Sequence, residues 1–291
     1  MLPRRHIRVK IFQSLYIYSQ KNKDKKFNIN KAYNQNLKEY LNLYCLIIEF
    51  LRIIHELAKE EITIRQSNLM PTQEDLKPNK RFINNKILKK IKEYQIADID
   101  YIKLKSILKN IFRNIKKSTT YLKYMDSKTS SNESDTKIII YILKKHLVIN
   151  EKIHEFIEEY SIYWNDDLII VYNHIIEKLN KLENIQTTKL FRHKEDELFA
   201  KKLLTESIKQ EQKVNEIIYN LAKNWDKERI ALTDLILMKM GITEMMCIKN
   251  IPHKVSLDEY IEISKEYSTP KSKEFINGIL DKFVKDILLK N

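Results

Sequence analysis

Apolar residues recur at three- and four-residue steps along nearly the whole chain, the spacing of one face of an α-helix and not of a strand. Residues 4–20 open the series: Ile7, Ile11 and Leu15 fall four apart and form one stripe, widened by Phe12 and Tyr18. A polar break, KNKDKKFNIN at 21–30, separates this helix from a second over about 32–64. RQSNLMPTQEDLKPNK at 65–80 holds two prolines and no apolar period, so it reads as a loop. Helical pieces are expected over 82–94, 98–124, 137–160 and 166–183. Between them, DSKTSSNESD at 126–135 is the best candidate for disorder, and ENIQTTK at 183–189 is a plausible linker.

The last hundred residues carry denser apolar runs. The pattern predicts one long amphipathic helix over 194–224 and another over 226–247. In the latter, Ile230, Leu232, Leu235, Ile236, Met238, Met240 and Ile242 leave almost no polar side, as befits a helix at the centre of a bundle. Ser256-Leu257-Asp258-Glu259 fits a capping box. Thr269-Pro270 gives a second helix start, a cap residue followed by proline at the first helical position. The final helix carries Phe275, Ile276, Ile279, Leu280, Phe283 and Ile287 at helical steps. Gly241 and Gly278 both fall inside these helices, and close helix–helix approach is the expected compensation for glycine there.

Those are the only 2 glycines among 291 residues, with 5 prolines. Dinucleotide-binding sheets, β-sandwiches and P-loops need glycine at tight turns and phosphates, so the scarcity excludes them and leaves an all-α fold. The net charge of +14 favours an anionic partner, nucleic acid first, although the abundance of Ile, Lys and Asn also fits nucleotide bias in the coding sequence. Cys45 and Cys247 lie in separate apolar runs with no metal-ligand spacing, and reduced, buried thiols are expected. MLPRRHIRVK lacks the apolar core of a signal peptide, and the run Leu43 to Ile54 is interrupted by Glu49 and Arg52 and too short to span a bilayer. A cytoplasmic protein without membrane attachment is the expectation.

Catalytic constellations are missing from the sequence. His55-Glu56 and His154-Glu155 begin like a zinc-protease motif but no second histidine follows, and no metal site or cofactor is expected. One cluster stands out. Arg4, Arg5, His6, Arg8 and Lys10 crowd the start of the first helix, where Arg4 and Arg8 share a face opposite Ile7 and Ile11. That geometry predicts a cationic edge able to rest against phosphate, with Gln13 and Tyr16 further along to read or stack on a base. A charged helix tip that merely improves solubility is the plain alternative.

The two ends together narrow the choice. The opening, with Gln13-Ser14-Leu15-Tyr16 after the arginine-rich turn, resembles that of NusB proteins. So does the stretch from Ile251 to Lys282, with LDEYIEISK and Phe275-Ile276-Asn277-Gly278-Ile279-Leu280-Asp281, preceded by Met238-Lys239-Met240-Gly241-Ile242-Thr243-Glu244. The resemblance covers residues 1–20 and about 190–287. It leaves about 27–185 as a helical insertion after the first helix, within an N-terminal subdomain over 1–185 and a C-terminal bundle over 186–291.

It implies two packed helical bundles and a non-enzymatic transcription antitermination factor. Such a factor binds the single-stranded boxA element of ribosomal RNA leaders together with NusE, a small-subunit ribosomal protein, and joins the antitermination complex on RNA polymerase. Carried over by position, Arg4, Arg5, His6 and Arg8 match the family's basic RNA-binding turn, and Tyr16 its tyrosine on the same helix. Phe275 matches an aromatic near RNA, and Asp234 an acid facing RNA or NusE. Lys271 and Lys273 stand at the last helix's N-terminus, where Lys271-Ser272 replaces the family's acidic-serine pair and would suit phosphate. Two alternatives stay open. An RNA methyltransferase with a NusB-like domain would need a glycine-rich cofactor domain and a Pro-Cys motif, neither present. A helical protein-binding scaffold without specific RNA binding needs neither.

Overall fold

A computed structural model describes residues 1–21, 27–127, 131–223 and 226–288, and every regular element among them is helical. In chain order these are α1 (Arg4–Lys21), α2 (Ile29–Gln66), α3 (Gln73–Leu76), α4 (Tyr101–Lys117), α5 (Thr119–Asp126), α6 (Asn132–Ile142), α7 (Glu151–Tyr160), α8 (Ile162–Asn180), α9 (Lys194–Lys209), α10 (Glu211–Leu221), α11 (Leu232–Cys247), α12 (His253–Tyr267) and α13 (Pro270–Phe283). Among the described residues no helix is long and apolar enough to cross a membrane. The chain divides into two compact units, Met1–Leu37 with Lys189–Asn291, and Lys38–Thr188.

In the first unit α11 is the central helix. It touches α1, α9, α10, α12 and α13, and every residue from Ile236 to Met245 is buried, as its all-round apolar sequence requires. At Gly241 side chains of both α12 and α13 pack against α11. A Cβ there would meet Leu280 Cδ2 at 3.0 Å and Tyr260 Cδ2 at 3.3 Å. Gly278 is different: it is exposed and nothing lies within 4 Å of a Cβ, so close packing does not explain it. Thr269 caps α13 as expected, its hydroxyl accepting from Ser272 N at 3.2 Å with Pro270 in the first turn. The Ser256–Glu259 capping box does not form. α12 already starts at His253, and Ser256 turns inward to donate to Glu244 Oε1 at 2.7 Å.

The second unit shows where polar side chains cut helical runs. The expected helix over 82–94 is replaced by turns and a single 3-10 turn at Leu88–Lys90. Asn85 Oδ1 accepts from Ile87 N and Leu88 N at 2.9 and 3.1 Å, and Asp135 Oδ2 from Lys86 N at 2.8 Å, so side chains take the amides a helix would use. Ser118 breaks the 98–124 run and caps α5, and Asn150 caps α7 after a π-turn at Leu143–Leu147. The 126–135 stretch is only partly irregular. Ser131 and Ser134 form a capping box that starts α6, while 128–130, like 22–26 in the first polar break, lie outside the described residues. The 194–224 run is likewise two helices, α9 and α10, meeting at Gln210. The linker over 183–189 is anchored, not loose: Ile185 is buried and its carbonyl accepts from Tyr44 Oη at 2.7 Å. Both cysteines are half-buried, not buried, and burial raises both thiol pKa values.

Candidate nucleic-acid interface

α1 is enclosed by α9, α11 and α12, and residues 6 to 12 are buried without a gap. The predicted cationic edge therefore divides. Arg8 is 2% exposed and forms a two-pronged ion pair with Glu244, Nε to Oε2 at 2.8 Å and Nη2 to Oε1 at 2.6 Å. Glu244 is fully buried and accepts two more bonds, from Ser256 Oγ at 2.7 Å and Tyr260 Oη at 2.8 Å. The Arg8 guanidinium also lies 5.0 Å from the Phe199 ring centre, a cation–π distance. Burial works most strongly against its charge, but the Glu244 bonds together with the electrostatic pull of Tyr260, Glu244 and Glu259 outweigh it, and its pKa ends above the ordinary arginine value. Burial likewise drives the Tyr260 phenol well above its usual value, so it stays a donor.

Arg8 and His6, expected on an RNA-facing edge, thus point into the unit. A face shared with Arg4 is not a face shared with solvent once three helices close around α1. Lys10 is also fully buried, donating to Asn36 Oδ1 at 2.7 Å. Asn36 Nδ2 in turn donates to Gln13 Oε1 at 2.9 Å, so Gln13 braces the junction of α1 and α2.

Arg4 and Arg5 remain at the surface. Arg4 Nε donates to Asp196 Oδ1 at 2.8 Å with its side chain 42% exposed. Arg5 pairs with both oxygens of Glu259 at 3.0 and 2.9 Å with its side chain 49% exposed. The Glu259 bonds raise the Arg5 pKa, with Glu262 and Glu266 adding to the effect. Glu262 is itself held below the usual carboxylate range, first by its bond with Lys265, and Arg5 and Lys273 act on it as well. The Arg5–Glu259 pair thus ties the first turn of α1 to α12.

A ring contact also joins α1 to the end of α12. The Phe12 and Tyr267 rings pack with centres 4.9 Å apart, and the next residue, Ser268, donates to the buried carboxylate of Asp234. Asp234 is thereby spent on anchoring the turn before α13 and does not face outward. Lys271 is exposed, Lys273 and Phe275 are half-buried, and Tyr16 is 37% exposed with its oxygen accepting from Gln20 at 3.4 Å. Of the residues that set this arrangement, Asp196 and Tyr267 fall in no sequence motif, and Glu259 falls within the expected capping box. Glu244 left a signal, as an acid in a helix whose residues are mostly apolar.

The sequence pattern of the NusB family matches residues 165–285. The chain is 44% identical over 89 residues to the transcription antitermination protein NusB of Salinibacter ruber, covering 31% of this chain and 56% of that one. It is 43% identical over 83 residues to the NusB of Chloroherpeton thalassium, covering 28% and 39%. To the NusB of Caldicellulosiruptor saccharolyticus it is 35% identical over 106 residues, covering 36% of this chain and 80% of the relative. Of the first two relatives the chain thus spans about half the length or less. No solved structure matches.

Proposed function

Because the chain belongs to the NusB family, we propose that it is a cytoplasmic, non-enzymatic antitermination factor. It binds boxA-type single-stranded RNA together with NusE and enters the antitermination complex on RNA polymerase. The observation that carries this reading is the pair of half-exposed arginines at the first turn of α1, Arg4 and Arg5, whose side chains are 42% and 49% exposed. Lys271, Lys273, Phe275 and Tyr16 would add charge and rings for stacking. Arg8, His6, Lys10 and Asp234 hold the scaffold beneath it.

One observation favours a helical scaffold without specific RNA binding: both surface arginines already have carboxylate partners. The deciding experiment is binding of a boxA oligomer and a scrambled control, with and without NusE, over a range of salt. Arg4→Ala/Arg5→Ala should weaken boxA binding and flatten its salt dependence by about one unit of slope per lost phosphate contact. Equal affinity for the scrambled RNA, with NusE present, would leave the scaffold reading.

A further inference from the structure

The second unit contains a cleft of about 280 Å³, formed where the family-matched segment meets residues outside it. Its walls are the 86–91 segment, the first turn of α6 and the segment after α8. The volume sits at the lower end of small-molecule sites, which suits a compact ligand. One side is apolar, with Ile87, Leu179, Leu182 and Ile185. Lys86 and Lys90 line the cleft and are exposed, and neither ammonium has a carboxylate partner among the described residues. The rest of the polar rim is Asn132, Asn184, Gln186 and one carboxylate, Glu183, which is exposed and so can turn to solvent, away from an anion.

Thr136 supplies the independent observation. It lines the cleft, is only 6% exposed, and its hydroxyl has no hydrogen-bond partner. A buried, unpaired hydroxyl is costly, and in a helix threonine divides between two χ1 rotamers, so rotation can present the oxygen to a ligand. The walls are braced. The Gln186 amide, turned so that both its atoms are satisfied, bonds Lys90 O at 2.9 Å and Lys92 N, and Lys178 bonds Thr187 O.

We propose that this cleft binds a nucleotide, with its phosphate at Lys86 and Lys90 and its base against the Leu179–Leu182 wall within reach of Thr136. The two lysines ask for an anion, the aliphatic wall for a flat apolar body, and the amides and hydroxyl for a ligand edge rich in donors and acceptors. Nucleoside phosphates join all three. The ligand is either a free nucleotide or one nucleotide of a single strand, and the inference does not rest on RNA binding at Arg4 and Arg5.

The test titrates the full chain calorimetrically with AMP, UMP, adenosine and inorganic phosphate. Saturable binding of a monophosphate is expected, with nucleoside and phosphate alone each weaker by about tenfold or more. Lys86→Ala/Lys90→Ala should weaken it about tenfold, and Thr136→Val several-fold without lowering the melting temperature. A short 5′-phosphorylated RNA that displaces AMP at lower concentration identifies the strand as the source, and failure to displace identifies the free nucleotide. No saturable binding up to about 5 mM, phosphate binding as tightly as the nucleotide, or affinity unchanged in both variants overturns the proposal.

Discussion

Arg8→Ala tests how the first unit is held. The substitution removes a guanidinium that is 2% exposed and leaves the fully buried Glu244 with two neutral donors, Ser256 and Tyr260. Breaking a buried ion pair from one side costs about 3–5 kcal/mol, because the surviving charge stays uncompensated. A domain's whole stability is about 5–15 kcal/mol, so the variant stands near the limit of folding. Arg5→Ala, at a half-exposed pair, should cost about 1 kcal/mol or less.

A single unfolding midpoint is the wrong readout in a chain of two units, since each can open separately. Hydrogen exchange of peptides from α11 and α12 reads the first unit alone. Protection there should fall by about two to three powers of ten in Arg8→Ala, at about 1.4 kcal/mol per power. Arg8→Met/Glu244→Gln removes both charges, keeps an acceptor for Tyr260 or Ser256, and should recover part of the loss. A fall of less than tenfold in Arg8→Ala would refute the reasoning and return Arg8 to the surface.

Three further outcomes follow. Gly241→Ala should destabilise the first unit by about 1–3 kcal/mol through overpacking on Leu280 and Tyr260, while Gly278→Ala, in open space, should stabilise it by about 0.5–1 kcal/mol, both read by denaturant unfolding. Burial lowers the pKa of His55 and His146 from 6.5, so both fold neutral. Their contribution is complete above that value and lost as pH falls below it, and exchange protection in α2 and α6 should drop on acidification. Glu259→Gln removes the charge that engages Arg5, so boxA affinity should rise several-fold if RNA binds there, while unchanged affinity would count against that site.

Periodicity carried most of the helical architecture, because burial follows the 3.6-residue repeat wherever nothing local competes. It failed where side chains captured backbone amides: Asn85 and Asp135 dissolve the expected helix over 82–94, and Ser118 and Asn150 divide two longer runs. Such capture depends on partners up to 49 positions away, which no local window reads. The site was legible to the same depth. Spacing put Arg4 and Arg8 on one side of α1, but whether that side faces water was decided by α9, α11 and α12. The sharpest missed clue was Glu244, whose apolar surroundings demanded a buried cation.

On the proposed function, α1 carries two tasks within five residues. Arg4 and Arg5 end in half-exposed, exchangeable pairs, whereas Arg8 ends in a pair with no solvent to replace it. An arriving phosphate can substitute for Asp196 or Glu259 at modest cost, since screened surface pairs are worth little in water. It cannot substitute for Glu244 without opening α11 and α12. Loss of RNA binding on changing the whole basic turn would consequently mix lost contact with lost fold. Arg4 and Arg5 changed without Arg8 report contact; Arg8 changed without them reports the scaffold on which that contact depends.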